Sequence, residues 1–218
     1  GNKRKLIYHI EKAILSIQSQ LNKKTLTALD GFSGSGVVSR MLKYHCHSLH
    51  VNDMEPYSFI INQCYLSNPI LEKRMKINQY IHELNQIDFN IEGPICKEYS
   101  PKETYNIQEN ERAFYTRENA LIIDTLRDYI ANHVESHLFS YCITPLLIQA
   151  SIHVNTSGVF LGFHKNKKTG LGQWGGTAEN DLQRIKGHIK LEMPYWSTSK
   201  YQPHVTQKDT NILIDEIP

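Results

Sequence analysis

The chain has 218 residues, with 24 Lys and Arg against 22 Asp and Glu, a formal net charge of +2 and 40% hydrophobic side chains. That length suits one large domain or a domain carrying an insert, and the near-neutral balance excludes a polycation that would grip nucleic acid over its whole surface. Four scattered cysteines without a C-x-x-C pair argue against a disulfide framework or a zinc site, and no apolar run or signal-like start points to a membrane or to export, so a cytoplasmic protein is expected.

In chain order, Leu6, Ile7, Ile10, Ala13, Ile14, Ile17 and Leu21 recur at steps of three and four and predict an opening helix. A strand follows over Thr25 to Leu29, then the turn Asp30-Gly31-Phe32-Ser33-Gly34-Ser35-Gly36, a helical pattern, and a second strand over Ser48 to Val51 that ends in Asn52-Asp53. Pro56 to Ser67 reads as a helix stopped by Asn68-Pro69. Residues 69 to 112 are polar, with Gly93-Pro94 and Ser100-Pro101 breaking any long element. Tyr115 to His133 and Ser136 to Ile152 read as two packed helices. Leu121, Ile122, Leu126, Tyr129 and Ile130 mark the face of the first, and Pro145 is expected to kink or restart the second. Asn155 to Gly176, rich in Gly, Lys, Asn and Thr with Phe160, Phe163 and Trp174 interleaved, reads as a long loop or small insert outside the core. A short helix over Leu182 to Ile189 follows. A last strand near His204 to Thr206 would carry Asp209 at its end, with a helix over Thr210 to Ile217 behind an Asp or Thr cap. Because the chain starts at Gly1 inside a helical pattern and stops at Pro218 just after an apolar stretch, it reads as a piece of a longer protein at both ends.

Strand, glycine turn, helix, strand and terminal acid make a nucleotide-binding βαβ half. Glycines let the backbone turn sharply and approach a ligand with no Cβ in the way, and an acid about 20 residues on takes ribose hydroxyls. An adenosine-type cofactor is therefore expected. The glycines run G-x-x-G-x-G behind an acid, whereas a dinucleotide turn wants G-x-G-x-x-G so that pyrophosphate meets the helix N-terminus. S-adenosylmethionine has no phosphate and carries an ammonium and a sulfonium, so Asp30 suits it better than it suits NAD. A glycine turn without a ligand is the plainer alternative. Histidines 45, 47 and 50 around Cys46 could in principle ligate a metal, but strand alternation splits them across two faces; His133 and His137 lack the H-E-x-x-H order and read as exposed helix residues.

The ordered pieces Gly1-Asn2-Lys3-Arg4-Lys5-Leu6, Asp30 to Gly36, Asn52-Asp53 and Phe114-Tyr115-Thr116-Arg117-Glu118 resemble the successive motifs of the alpha-type adenine-specific DNA methyltransferases, the group that contains the Dam methylase. The resemblance extends from Gly1 to about Pro218. It implies an α/β, Rossmann-like S-adenosylmethionine-dependent fold with an incomplete sheet and an inserted, largely helical and loop DNA-recognition region. The implied division is a cofactor half over residues 1 to 68, a helical and target-recognition region over 69 to 190, and a return to the first domain over 191 to 218. The G-x-K turn and the F-x-G-x-G loop would hold the cofactor through Lys3, Phe32, Gly34 and Gly36 beside Asp30, Asp53 would hold its ribose, and Asp209 would approach its adenine. The aromatic residue that precedes the G-x-K turn in the family is not included, and the catalytic Asp-Pro-Pro-Tyr appears nowhere. Glu55-Pro56-Tyr57 and Met193-Pro194-Tyr195 each lack the second proline. The family order would place that motif beyond Pro218.

Two basic zones stand on the near-neutral chain: Lys3, Arg4, Lys5, Lys12, Lys23 and Lys24 against Glu11, and six Lys or Arg against Glu179 and Asp181 over residues 151 to 190. Within the second, Lys165, Lys167 and Lys168 would meet phosphates, Asn155, Thr156 and Gln173 would meet base edges, and Trp174 or Phe163 would wedge or stack. The expected substrate is double-stranded DNA, with a cognate restriction endonuclease as a system partner. The expected activity is adenine-N6 methylation of a specific site, for which the fragment alone would lack the catalytic motif. A non-catalytic DNA-binding or specificity remnant and a Rossmann-type NAD enzyme remain as other readings.

Overall fold

A computed structural model describes residues 3–156, 162–175, 179–199 and 201–217. Gly1 and Asn2 of the leading turn and Phe160 of the insert lie outside them. After a 3-10 turn at Lys3–Leu6, the elements are α1 (Ile7–Gln20), β1 (Leu26–Asp30), α2 (Val37–Leu42), β2 (Cys46–Asn52), α3 (Pro56–Leu66), α4 (Leu71–Leu84), α5 (Pro94–Glu98), α6 (Arg117–His133), α7 (Phe139–His153), α8 (Glu179–Lys186), β3 (His204–Thr206) and α9 (Thr210–Glu216). The chain divides into two compact units, Gly1–Arg74 with Pro194–Pro218, and Met75–Met193.

The first unit is an α/β layer of the Rossmann-like kind, built on a parallel sheet of order β1-β2-β3. Ala28 stands opposite Leu49 and Leu29 opposite His50, and His50 and Asn52 stand opposite His204 and Thr206. Side chains alternate across the pleat, so Leu49 and Val51 point into the core while His50 faces the other way and meets His204 edge to face, ring centroids 4.6 Å apart. The core joins Leu26, Met41, Leu42, Cys46 and Leu66 to these two. Ile7, Ile10 and Ile14, at the three- and four-residue steps that predicted α1, lie against it. Pro56 sits at the start of α3, where its missing N–H costs no helical bond. Lys43 is only 1% exposed and donates from Nζ to Leu66 O at 2.7 Å, Asn68 Oδ1 at 2.8 Å and Ser67 O at 3.4 Å, satisfying carbonyls at the end of α3. The segment returning to the sheet is fixed by Trp196 Nε1 donating to Cys64 O at 2.9 Å and by Tyr201, whose hydroxyl accepts the Leu49 N–H at 2.6 Å.

In the second unit α6 starts on Thr116, whose hydroxyl accepts the Asn119 N–H at 3.2 Å, and buries Ile122, Leu126 and Ile130. Helix α7 packs on it and buries residues that include Cys142 and Leu146. Two expectations need correction here. Residues 69 to 112, expected as a polar stretch with any long element broken, hold the 14-residue helix α4 and the short helix α5. Helix α4 is polar on most of its surface but buries Ile77, Ile81 and Leu84 at steps of four and three, and α5 opens on Pro94, a residue that looked like a breaker. Of the two outcomes expected at Pro145, a kink or a restart, the restart does not occur: α7 is one helix from Phe139 to His153 with Pro145 inside it. The segment from Asn155 is a loop as expected, yet Asn155 and Thr156 are buried. Among the described residues, no helix is long and apolar enough to cross a membrane.

Candidate functional site

The turn between β1 and α2 depends on two glycines with positive φ, Gly34 at 52° and Gly36 at 71°, a region that side chains other than glycine rarely enter. Gly36 is the N-cap of α2. A Cβ built on it would lie 2.1 Å from Asn62 Oδ1, whereas one on Gly34 would meet nothing within 4 Å, so the turn is packed shut at Gly36 and open at Gly34.

Asp53, at the end of the central strand, closes onto this turn. Its Oδ2 accepts the Gly34 N–H at 2.7 Å and its Oδ1 accepts the Glu55 N–H at 3.0 Å, so the carboxylate is oriented by two backbone donors and keeps lone pairs for further donors. Asp30 is half-buried and accepts the Ser39 hydroxyl at 2.6 Å, which ties the end of β1 to α2. Phe32 is 74% exposed. Lys3 is exposed at the start of the 3-10 turn, which packs on α2. Asp209 caps α9, its Oδ1 accepting the Asn211 N–H at 2.8 Å, and remains exposed at the end of β3.

What joins these pieces is Asn52, which sequence reasoning passed over in favour of its neighbour. It is fully buried. Its Nδ2 donates to Lys208 O at 2.9 Å and Thr210 Oγ1 at 3.2 Å, and its Oδ1 accepts the Thr206 hydroxyl at 2.8 Å and the Lys208 N–H at 3.1 Å. Thr210 in turn donates to Gly31 O at 2.7 Å. The glycine turn and the β3–α9 turn are thereby held as one surface at the carboxyl ends of the strands, where ligands bind in open α/β sheets. Arg40 on α2 lies with its guanidinium 4.6 Å from the Tyr65 ring centroid, and burial pushes its pKa down while Tyr65 opposes the shift. The histidines near Cys46 go to separate partners: His45 to Glu11, His47 to Thr25 and Thr27, and His50 to Thr206.

In the second unit the DNA candidates separate into anchors and an exposed edge. Asn155 points inward, donating from Nδ2 to Ala113 O at 2.7 Å and Gln173 O at 2.9 Å and accepting the Gly175 N–H at 3.0 Å, so its amide is taken up in holding the two ends of the loop together. Thr156 is buried and pairs in antiparallel fashion with Phe163, and Trp174 donates from Nε1 to Thr104 O at 2.6 Å. Phe163 lies edge to face on Phe114 at 5.2 Å. A second antiparallel bridge joins Lys165 to Gly172, and the tip is closed by Asn166 N–H to Leu171 O at 2.9 Å and Gly170 N–H to Asn166 O at 2.8 Å. That hairpin tip carries Lys167 and Lys168 outward, with Lys165 and Gln173 also exposed on it. A cleft of about 600 Å³ lies beside it, lined by the segment Gln108 to Arg112 and by Phe163, Lys165 and the turn Thr169 to Gly172.

The sequence matches the D12 class N6 adenine-specific DNA methyltransferase family over residues 1–201. It is 28% identical over 174 residues to the type II methyltransferase M.NlaIII of Neisseria lactamica, covering 77% of this chain and 49% of that one. It is 31% identical over 149 residues to the type II methyltransferase M.CviAII of Paramecium bursaria Chlorella virus 1, covering 65% and 42%, and 28% identical over 177 residues to the modification methylase LlaI of Lactococcus lactis subsp. lactis, covering 76% and 26%. The chain spans less than half the length of each of these relatives. No solved structure matches it.

Proposed function

Because this chain belongs to the D12 class of N6 adenine-specific DNA methyltransferases, we propose that its first unit binds S-adenosylmethionine and its second unit recognises DNA, within a site-specific adenine methylase of a restriction-modification system. The observation that carries the reading is the Asp53 carboxylate bonded to the amide of Gly34 at the strand ends, beside a turn that is open where a backbone can approach a ligand. The residues fit the cofactor: Asp53 has acceptor capacity left for ribose hydroxyls, Gly34 leaves room for close approach, and Asp30 sets negative charge near the turn for a ligand that bears an ammonium and a sulfonium. Lys3, Phe32, Gly36 and Asp209 complete the proposed pocket. When bound, S-adenosylmethionine supplies the activated methyl group.

No Asp-Pro-Pro-Tyr occurs in the 218 residues. An adenine amine is a weak nucleophile, stacked and paired in duplex DNA, and needs an extruded base held on an aromatic face with acceptors for its hydrogens. These residues are accordingly proposed to bind the cofactor and to contact DNA, and none of them is given the methyl transfer. On the hairpin, Lys165, Lys167 and Lys168 are proposed to meet phosphates and Gln173 a base edge, with Asn155, Thr156 and Trp174 setting the shape that presents them.

Calorimetry with S-adenosylhomocysteine and with NAD tests the first half. Binding of the former only is expected, and Asp53→Ala should weaken it by about 1.5–3 kcal/mol through loss of a charge-assisted ribose contact. Equal affinity of parent and variant would reject Asp53 as the ribose ligand. Reversing the charge of Lys165, Lys167 and Lys168 together should lower DNA affinity and flatten its salt dependence by roughly one unit of slope per lost contact. An unchanged salt slope would remove the hairpin from the DNA surface.

A further inference from the structure

Helix α3 turns one stripe of side chains, Ser58, Asn62 and Tyr65, toward the glycine turn, at the four- and three-residue steps that keep them on one face. Ser58 Oγ donates to Gly34 O. Asn62 Nδ2 donates to Gly34 O at 3.2 Å, to Ser33 Oγ at 2.9 Å and to Ser58 O at 2.9 Å. Tyr65 supports the guanidinium of Arg40, whose Nε donates to Gly36 O at 3.4 Å. Carbonyls at both positive-φ positions are therefore reached from α3 or through a side chain seated on it.

Asn62 is the unusual member. It is 1% exposed, and its Oδ1 is buried without a hydrogen-bond partner. That oxygen occupies the space a Cβ on residue 36 would need, 2.1 Å from its ideal position. A buried acceptor with no donor is unfavourable, and an apolar side chain of the same shape would avoid it. The amide half of Asn62 offsets this by gripping the turn, and the carbonyl half excludes every side chain from position 36.

We infer that Asn62, seconded by Ser58, is a positioning residue for the cofactor: it turns the carbonyl of Gly34 inward, leaves the open side of that residue facing the ligand, and makes glycine obligatory at position 36. The inference deepens the cofactor-binding reading and rests on it. With Asn62 in place the loop is preorganised, so binding does not have to order it.

The test combines Asn62→Ala, the milder Ser58→Ala, Gly36→Ala and the double variant Asn62→Ala with Gly36→Ala. Asn62→Ala should weaken S-adenosylhomocysteine binding about tenfold and speed hydrogen exchange at the Gly34 and Gly36 amides at least tenfold. Ser58→Ala should move both in the same direction by less, which serves should Asn62→Ala fold poorly. Gly36→Ala alone should abolish measurable binding. In the Asn62→Ala background the further loss from Gly36→Ala should shrink at least tenfold, leaving only the penalty of an alanine at positive φ. Independent, multiplying effects of the two changes would overturn the inference, as would unchanged amide exchange in Asn62→Ala and Ser58→Ala. If the parent chain binds no S-adenosylhomocysteine, the cofactor reading fails, and exchange together with the Gly36 and Asn62 coupling in unfolding still decides whether the clamp exists.

Discussion

Replacing Asn52 with alanine should destabilise the first unit by about 3–5 kcal/mol, and the reason lies in which of its partners can find another. The Thr206 hydroxyl keeps His50 Nε2 at 3.0 Å, and the Thr210 hydroxyl keeps Gly31 O at 2.7 Å. The backbone N–H and C=O of Lys208 have no such second partner in the network, and each stranded group costs about 1–3 kcal/mol, with a further contribution from the small cavity left by the amide. Asn52→Asp separates donor from acceptor. It keeps an oxygen for the Thr206 hydroxyl and the Lys208 N–H but sets another against Lys208 O, so it should be at least as damaging at pH 7. It should recover as pH falls, when the protonated acid can donate again. The chain has two tryptophans, Trp174 in the second unit and Trp196 in the first. In a Trp174→Phe background, urea unfolding followed by Trp196 emission therefore reports the first unit. A loss below 1 kcal/mol for Asn52→Ala would mean that the strand-end network does not hold the turns together as described.

Burial pushes the Lys43 pKa down to about 8, so between pH 8 and the ordinary lysine range the unfolded chain holds more protons than the folded one. The stability of the parent relative to Lys43→Met should be flat below pH 8 and rise toward pH 10.5, and a flat difference in urea titrations across that window would refute it. Asp124 accepts the N–H groups of Ile95 and Cys96 at the start of α5, and burial followed by the Asp124 hydrogen bond pushes the Cys96 thiol up to about 12. Asp124→Ala should cost the second unit about 2 kcal/mol and make Cys96 react faster with a thiol reagent at pH 8; unchanged reactivity would separate Asp124 from the thiol. Asn155→Ala should release both ends of the hairpin loop and raise the rate of trypsin cleavage at Lys165, Lys167 and Lys168 about tenfold, whereas an unchanged rate would show that the loop holds without it.

Whatever rests on neighbours along the chain is legible before folding is known. The β1 run, the glycine turn, the acid after β2 and the α9 helix behind Asp209 are each written in a few consecutive residues, because turn geometry and capping are local chemistry. Helix α4 escaped that reading because its buried residues, Ile77, Ile81 and Leu84, are few, and the polar remainder of the element looks like a loop until a partner covers that stripe. The roles of Asn52, Asn62, Lys43 and Asn155 emerge from contacts between distant segments. Asn52 meets Lys208 and Thr210 from the far end of the chain, Asn62 meets a turn two elements earlier, and the inward amide of Asn155 was indistinguishable by type from one that reads a base edge. A polar side chain declares whether it contacts solvent, a ligand or another backbone only when folding has fixed which donors and acceptors surround it, and those are supplied by segments that sequence spacing does not bring together.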